Sequence, residues 1–337
     1  MASLTKLIPA LLLTAAILCG IIIAVGSSMN PFVFPSTSVF DSSPALETIS
    51  SLQPHQEMKV RGERAYTYLK RICELGPRPS GSAALEQHRI LVEKHFTDLG
   101  AHVIRQPFQA RHPISRKKVA FANIIASWNS ERQPRILVAA HYDTRPYPDR
   151  DPNPEKRKAP FIGANDGASG VAVLMELAHF LNQINGPYGI DLILFDGEEL
   201  VYDEQGTYFL GSRHFAREYR RNRQANRYMA GILVDMVGDR DLQIYQEENS
   251  LAFAPQLVAS IWSIAAQLNI PEFIPRSKYE IRDDHLPLNT IANIPVCDLI
   301  DFDYPAWHTT RDTPEQCSPS SLEKVTRVVL KWLQQGT

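Results

Sequence analysis

The sequence predicts an α/β fold: a single domain whose central, mostly parallel mixed sheet is flanked by helices on both faces. Three observations predict it. Continuous apolar runs of strand length, such as "RILVAAHYD" and "GIDLILFD", read as strands buried on both sides. Segments with apolar residues at helical spacing alternate with those runs. No internal repeat and no linker-like stretch divides the chain after about residue 55, so alternating strands and helices are expected to close one layered domain over 55–337.

The elements follow in order. After Lys6 comes "LIPALLLTAAILCGIIIAV", a charge-free apolar run of 19 residues followed by "GSS". Residues 1–26 are therefore expected to be a signal peptide or a membrane anchor, with Ala24 and Gly26 small enough for cleavage. The protein would then be exported: periplasmic, secreted, or held by an N-terminal transmembrane segment. Residues 27–54 are rich in Ser, Pro and Thr without periodicity and read as a flexible stalk. "RAYTYLKRICELG" and "AALEQHRILVEKHFTDLG" are predicted helices, each closed by glycine. "AHVIRQPFQA", "FANIIASW" and "RILVAAHYD" are predicted strands. Next come a helix from "GASGVAVLMELAHFLNQI", a strand from "GIDLILFD", a helix from "GSRHFAREYRR" and a strand from "YMAGILVDMVG". "SLAFAPQLVASIWSIAAQLN" reads as helix, "IPVCDLID" as strand, and "SPSSLEKVTRVVLKWLQQ" as a Ser-capped terminal helix. Between two of these segments lies Arg145–Pro160, with five prolines and no periodicity. It reads as a surface loop or as a rim over a site.

Composition narrows the function. The chain of 337 residues has a formal net charge of −2 and 21% charged residues, which offers no electrostatic reason to expect nucleic acid. Its one dense positive run, Arg217–Arg227, reads as a solvated helix face. Cys19, Cys73, Cys297 and Cys317 match no zinc or redox spacing. Cys297 and Cys317 are left either paired or as buried thiols.

The chemistry is concentrated at strand ends, where ligands bind in such sheets. These carry His141 and Asp143, then Asp196, Glu198 and Glu199, then Asp235. The start of a long helix adds Asn165 and Asp166, and late loops add Asp283, Asp284 and His285, then Trp307 and His308. One acid at a strand end usually caps the next helix; six such places are not explained by capping. Crowded carboxylates repel and take up protons unless cations neutralise them. A divalent metal is the economical answer, and an Asp/Glu/His donor set without thiolate favours a catalytic zinc site. In the pair Glu198–Glu199, one carboxylate would bind metal and the other carry a proton. The simpler reading of that pair alone is a helix cap or an ion pair with Arg213.

"RILVAAHYDTR", "FIGANDGASGVAVLMELA", "LFDGEEL", "FLGSRHFA", "LVDMVG", "IRDDHLPL" and "AWHTTRDT" stand in the order and character of the zinc aminopeptidase-like fold. More narrowly, the set resembles glutaminyl-peptide cyclotransferases (glutaminyl cyclases), over residues 60 to the C-terminus. The resemblance implies one Zn²⁺ per chain, held by Asp166, Glu199 and His308, and peptide or protein substrates with N-terminal glutamine. It implies Glu198 as proton carrier, with Asp235 and Asp283 as catalytic partners. Asp283 fills the place where cyclases show Asp-Asp-His and aminopeptidases typically Ser-Asp-His, 25 residues before His308. A shared proton would join Asp283 to Asp235. Trp307 would wall the glutamine pocket, with Tyr202 standing in for a Trp that cyclases often place after the Glu pair. Asp303 and Tyr304 also depart, occupying a position where an aromatic wall is expected. The alternative chemistry is a two-zinc aminopeptidase, whose second ion would sit on His141 and Asp235.

Overall fold

A computed structural model of the chain describes residues 59–202, 206–222 and 227–336. The expected leader, 1–26, and stalk, 27–54, lie outside the described residues. Among the described residues no helix is long and apolar enough to cross a membrane.

The chain opens with α1 (Gly62–Cys73) and α2 (Ala83–Asp98). Ser82 caps α2 by accepting the Leu85 N–H. An antiparallel hairpin follows, β1 (His102–Arg111) and β2 (Lys118–Trp128). Then come β3 (Arg135–His141), α3 (Ser169–Leu177), β4 (Gly189–Phe195), α4 (Leu210–Arg221) and β5 (Tyr228–Asp235). A small parallel pair, β6 (Ile244–Gln246) and β7 (Phe273–Ser277), encloses α5 (Glu248–Phe253) and α6 (Pro255–Gln267). The one-turn α7 (His285–Pro287), β8 (Val296–Ile300) and α8 (Pro319–Gln335) complete the chain.

The main sheet has the order β1-β2-β4-β3-β5-β8. Its β4-β3-β5-β8 half is parallel, and β2 joins β4 antiparallel. The mixed sheet with a parallel centre is as the sequence predicts. Every residue of β3, β4 and β8 is buried, because helices cover both faces. Alternate side chains supply two separate cores. Ile136, Val138 and Ala140 join the core under α1, α3, α6 and α8, whereas Leu137 and Ala139 meet Phe215, Tyr219 and Leu288 beneath α4.

Two predicted helices differ in extent. The one expected to run to Ile184 leaves α-geometry after Leu177 and tightens into a 3-10 turn at Leu181–Gln183. The one expected over 250–269 is cut into α5 and α6 at Ala254, because Pro255 donates no N–H and disfavours helical backbone before it. Cys73, Cys297 and Cys317 are buried free thiols, so no disulfide joins Cys297 to Cys317.

Candidate active site

The parallel strands end on one edge of the sheet, and their exits carry the polar side chains. β3 ends at His141 with Asp143 beyond it; β5 ends at Asp235. After β4 the chain turns at Gly197 with φ +74°, where a Cβ would come within 2.8 Å of the Phe121 ring. That turn aims Glu198 and Glu199. Asp143 holds it: one carboxylate oxygen accepts the Glu198 N–H at 3.1 Å and the other the Glu199 N–H at 3.2 Å. No side chain caps α4, so the two glutamates do not cap it. Arg213 donates to the Tyr208 carbonyl instead, and the arginine at the pair is Arg145. Its backbone N–H donates to Glu199 Oε2 at 3.1 Å, and its guanidinium lies 3.3 Å from Oε1.

Asp166, in the turn before α3, lies between two imidazoles. Its Oδ1 is 3.3 Å from His141 Nε2 and its Oδ2 3.3 Å from His308 Nε2. His308 Nε2 is also 2.9 Å from Glu199 Oε1, and His141 Nε2 is 3.1 Å from Asp235 Oδ1. Donor atoms of Asp166, Glu199 and His308 all lie within 4.8 Å of one another, and so do those of His141, Asp166 and Asp235. His308 adopts φ +55° and Met236, next to Asp235, φ +46°, left-handed backbone that costs about 1 kcal/mol per residue.

The electrostatics ask for cations. Burial alone would strip protons from His141 and His308, but the carboxylates around them outweigh it and hold both imidazole pKa values well above the ordinary value. Burial alone would raise the Asp166 pKa, yet the two flanking imidazoles hold it far below the usual carboxylate range. Glu198 is raised well above its ordinary value, by burial first and by the charge of Glu199 second. The Asp166 Oδ2 atom is buried without a hydrogen-bond partner. Oxygen and imidazole donors converging without thiolate fit a divalent cation, which would replace the protons these groups retain.

A cavity of about 660 Å³ opens onto these groups. Glu198, Asp235, Asp283 and Trp307 line it, as does Phe302. Phe302 packs on Trp307 at 4.7 Å between ring centroids; it is an aromatic wall that sequence reasoning missed. Its neighbours turn away. Asp303 pairs with Lys278 at 2.6 Å, and Tyr304 is buried, donating to Asp312. Tyr202 is not in this wall. It lies in an adjoining depression, its hydroxyl 3.1 Å from His112 Nε2 and its ring edge-on to Tyr147. Asp283 makes no hydrogen bond to Asp235; its Oδ1 accepts the Asp284 N–H and its Oδ2 is buried without a partner. Burial and the charge of Asp235 push its carboxyl up to about 7.

A further buried group forms around His285, two residues after Asp283. His285 has Nε2 3.4 Å from Glu247 and Nδ1 3.5 Å from Asp298. The proline-rich insertion forms a rim. Asp149 pairs with Arg145 at 2.7 Å and lies 3.4 Å from His308 Nδ1. Position in an unpatterned loop gave no sign of that contact, although Arg145 follows the "HYDT" strand end directly.

Comparison with known proteins agrees with this layout. The sequence pattern of peptidase family M28 matches residues 123–333. A glutaminyl cyclase from Fimbriiglobus ruber superposes with a TM-score of 0.80 at 36% identity, covering 82% of this chain and 96% of that one. A leucine aminopeptidase precursor from Bacteroides thetaiotaomicron superposes with a TM-score of 0.78 at 30% identity, covering 83% and 98%. A mouse (Mus musculus) glutaminyl-peptide cyclotransferase-like protein is 28% identical over 284 residues, 76% of this chain and 71% of the mouse protein.

Proposed function

We propose, for a chain that belongs to peptidase family M28, a reaction other than peptide hydrolysis: glutaminyl-peptide cyclotransfer. The enzyme converts N-terminal glutamine of peptides and proteins to pyroglutamate and releases ammonia. One Zn²⁺ per chain, held by Asp166, Glu199 and His308, would supply Lewis acidity toward the side-chain amide oxygen. The substrate's α-amine attacks its own side-chain amide carbon, forming the ring C–N bond and breaking the bond to the leaving nitrogen. Holding the glutamine curled in the cavity replaces an encounter between two molecules by a reaction within one. Glu198 takes the proton from the attacking amine and returns it to the departing ammonia. Its raised pKa suits that exchange. Asp283 and Asp235 would steady the nitrogen, and Trp307 with Phe302 would wall one side of the glutamine pocket; that all four line the same cavity supports these roles.

The observation that carries this reading is Asp283. This carboxyl in the cavity wall, pushed up to about 7 by burial and by the charge of Asp235, keeps a proton it can donate. A second metal ion on Asp235 would be better served by an uncharged neighbour that needs no proton. The likeness to the Fimbriiglobus ruber enzyme over nearly all of that chain supports the same reading. The second reading, a two-metal aminopeptidase, is favoured by the cluster of His141, Asp166 and Asp235.

The test offers purified protein Gln-β-naphthylamide and Leu-p-nitroanilide. Ammonia release from the first with no arylamine release from either supports cyclisation; arylamine release without ammonia overturns it. The domain plan is part of the proposal: an exported catalytic unit over 55–337, behind a leader or anchor at 1–26 and a stalk at 27–54.

A further inference from the structure

The mechanism leaves the middle of the proline-rich insertion unused, yet the loop is firmly placed. Asp151 Oδ2 accepts both the Thr310 N–H at 2.9 Å and its hydroxyl at 2.5 Å. Arg157 donates to the Asp151 carbonyl, and the Arg150 N–H donates to the His308 carbonyl at 3.1 Å. These bonds tie the loop to the segment bearing Trp307 and His308. They set the Arg150 guanidinium over the Trp307 ring, 4.0 Å from its centroid, while the residue remains exposed at the cavity mouth. Arg282, also exposed, lines the same cavity from the segment before α7.

The acids nearby do not cancel these charges. Asp149 is taken up by Arg145 and faces His308, which leaves Glu280 as the exposed acid in the lining. The adjoining depression repeats the imbalance, with Arg157 and Lys158 against Glu155. The interior is acidic and calls for cations, whereas the mouth is basic. A glutamine that enters side chain first leaves its following residue at that mouth.

We propose that Arg150, with Arg282, makes the enzyme prefer peptides in which the residue after the N-terminal glutamine is acidic. This rests on the cyclase reading and specifies its substrate class. Arg150 is held by its backbone and by Trp307, so its charge is presented at small entropic cost. The carboxylate of a following Glu or Asp meets both guanidiniums, and a following Lys meets their repulsion.

The experiment measures ammonia release from the amidated peptides Gln-Glu-Ala, Gln-Ala-Ala and Gln-Lys-Ala at low and high salt. At low salt kcat/KM should fall in that order, with about a tenfold span from one modest exposed attraction and one matching repulsion. High salt should compress the span. Within Arg150→Gln/Arg282→Gln the Glu-to-Lys ratio should drop below about twofold, and Arg150→Lys should retain most of it. A ratio near one in the wild-type enzyme, or one unchanged in the double variant, overturns the preference. Absence of ammonia from all three peptides overturns the cyclase reading itself, and the preference with it.

Discussion

Asp143→Asn tests the support of the acid pair. In the structure Asp143 Oδ1 accepts the Glu198 N–H and Oδ2 the Glu199 N–H, at 3.1 and 3.2 Å, and the side chain is fully buried. Asparagine keeps one acceptor and turns an NH₂ toward the other N–H. One buried donor then loses its partner, and the retained bond loses its charge assistance. An unsatisfied buried donor costs about 1–3 kcal/mol, and the weakened bond adds about 1 kcal/mol more. A loss of about 3 kcal/mol in a domain of this size lowers Tm by about 5 °C. Glu198 and Glu199 also lose their shared anchor, and a displacement of about 1 Å at a reacting group can lower the rate about a hundredfold. Differential scanning calorimetry and ammonia release from Gln-β-naphthylamide read the two effects. A variant with wild-type Tm and wild-type kcat would refute the reasoning, because Asp143 would then hold nothing that matters.

Glu198→Gln should lower kcat by about 10²–10⁴ while leaving metal content unchanged after gel filtration; surviving activity would remove Glu198 from its proton-carrying role. Asp149→Asn should weaken zinc binding about 10- to 100-fold in a competition titration, as loss of a group that orients a ligand imidazole does; an unchanged affinity would make its approach to His308 Nδ1 incidental. The pH dependence of the chelated protein has a definite sign. His141, His308, Glu198 and Asp283 all have folded pKa values raised above their ordinary ones. Their contributions are therefore present at low pH and lost as pH rises, that of Asp283 by about pH 7 and those of the two histidines only above their ordinary value of 6.5, so Tm of chelated protein should fall as pH rises through neutrality. Asp166, whose carboxyl is held down, acts the other way, but only in strong acid. Zinc-loaded protein should lack the decline, and a Tm that rises with pH after chelation would contradict the assignment.

Much of the fold was legible because a strand covered on both faces must be apolar throughout, and "RILVAAH" and "GIDLILF" have no other plausible home. The small β6–β7 pair was not, since three and five residues give no periodicity to detect. The break at Pro255 was visible in principle, but strong apolar spacing on both sides masked it. At the site, residues that terminate strands could be read because the sheet itself delivers them to one edge: His141, Glu198, Glu199 and Asp235. Loop conformation carries the rest, and spacing does not encode it. Nothing in the order of residues distinguishes Phe302, which lines the cavity, from Tyr202, which lies beside it. Nor could sequence reveal that Arg145 pairs with Glu199 rather than leaving that glutamate to Arg213.

Anomalous diffraction at the zinc edge from crystals of the loaded protein tests the centre of this account. It should show one strong peak per chain, about 2.0–2.2 Å from donor atoms of Asp166, Glu199 and His308, with His141 and Asp235 left to each other. Two peaks sharing Asp166, or a peak away from these three side chains, would contradict it.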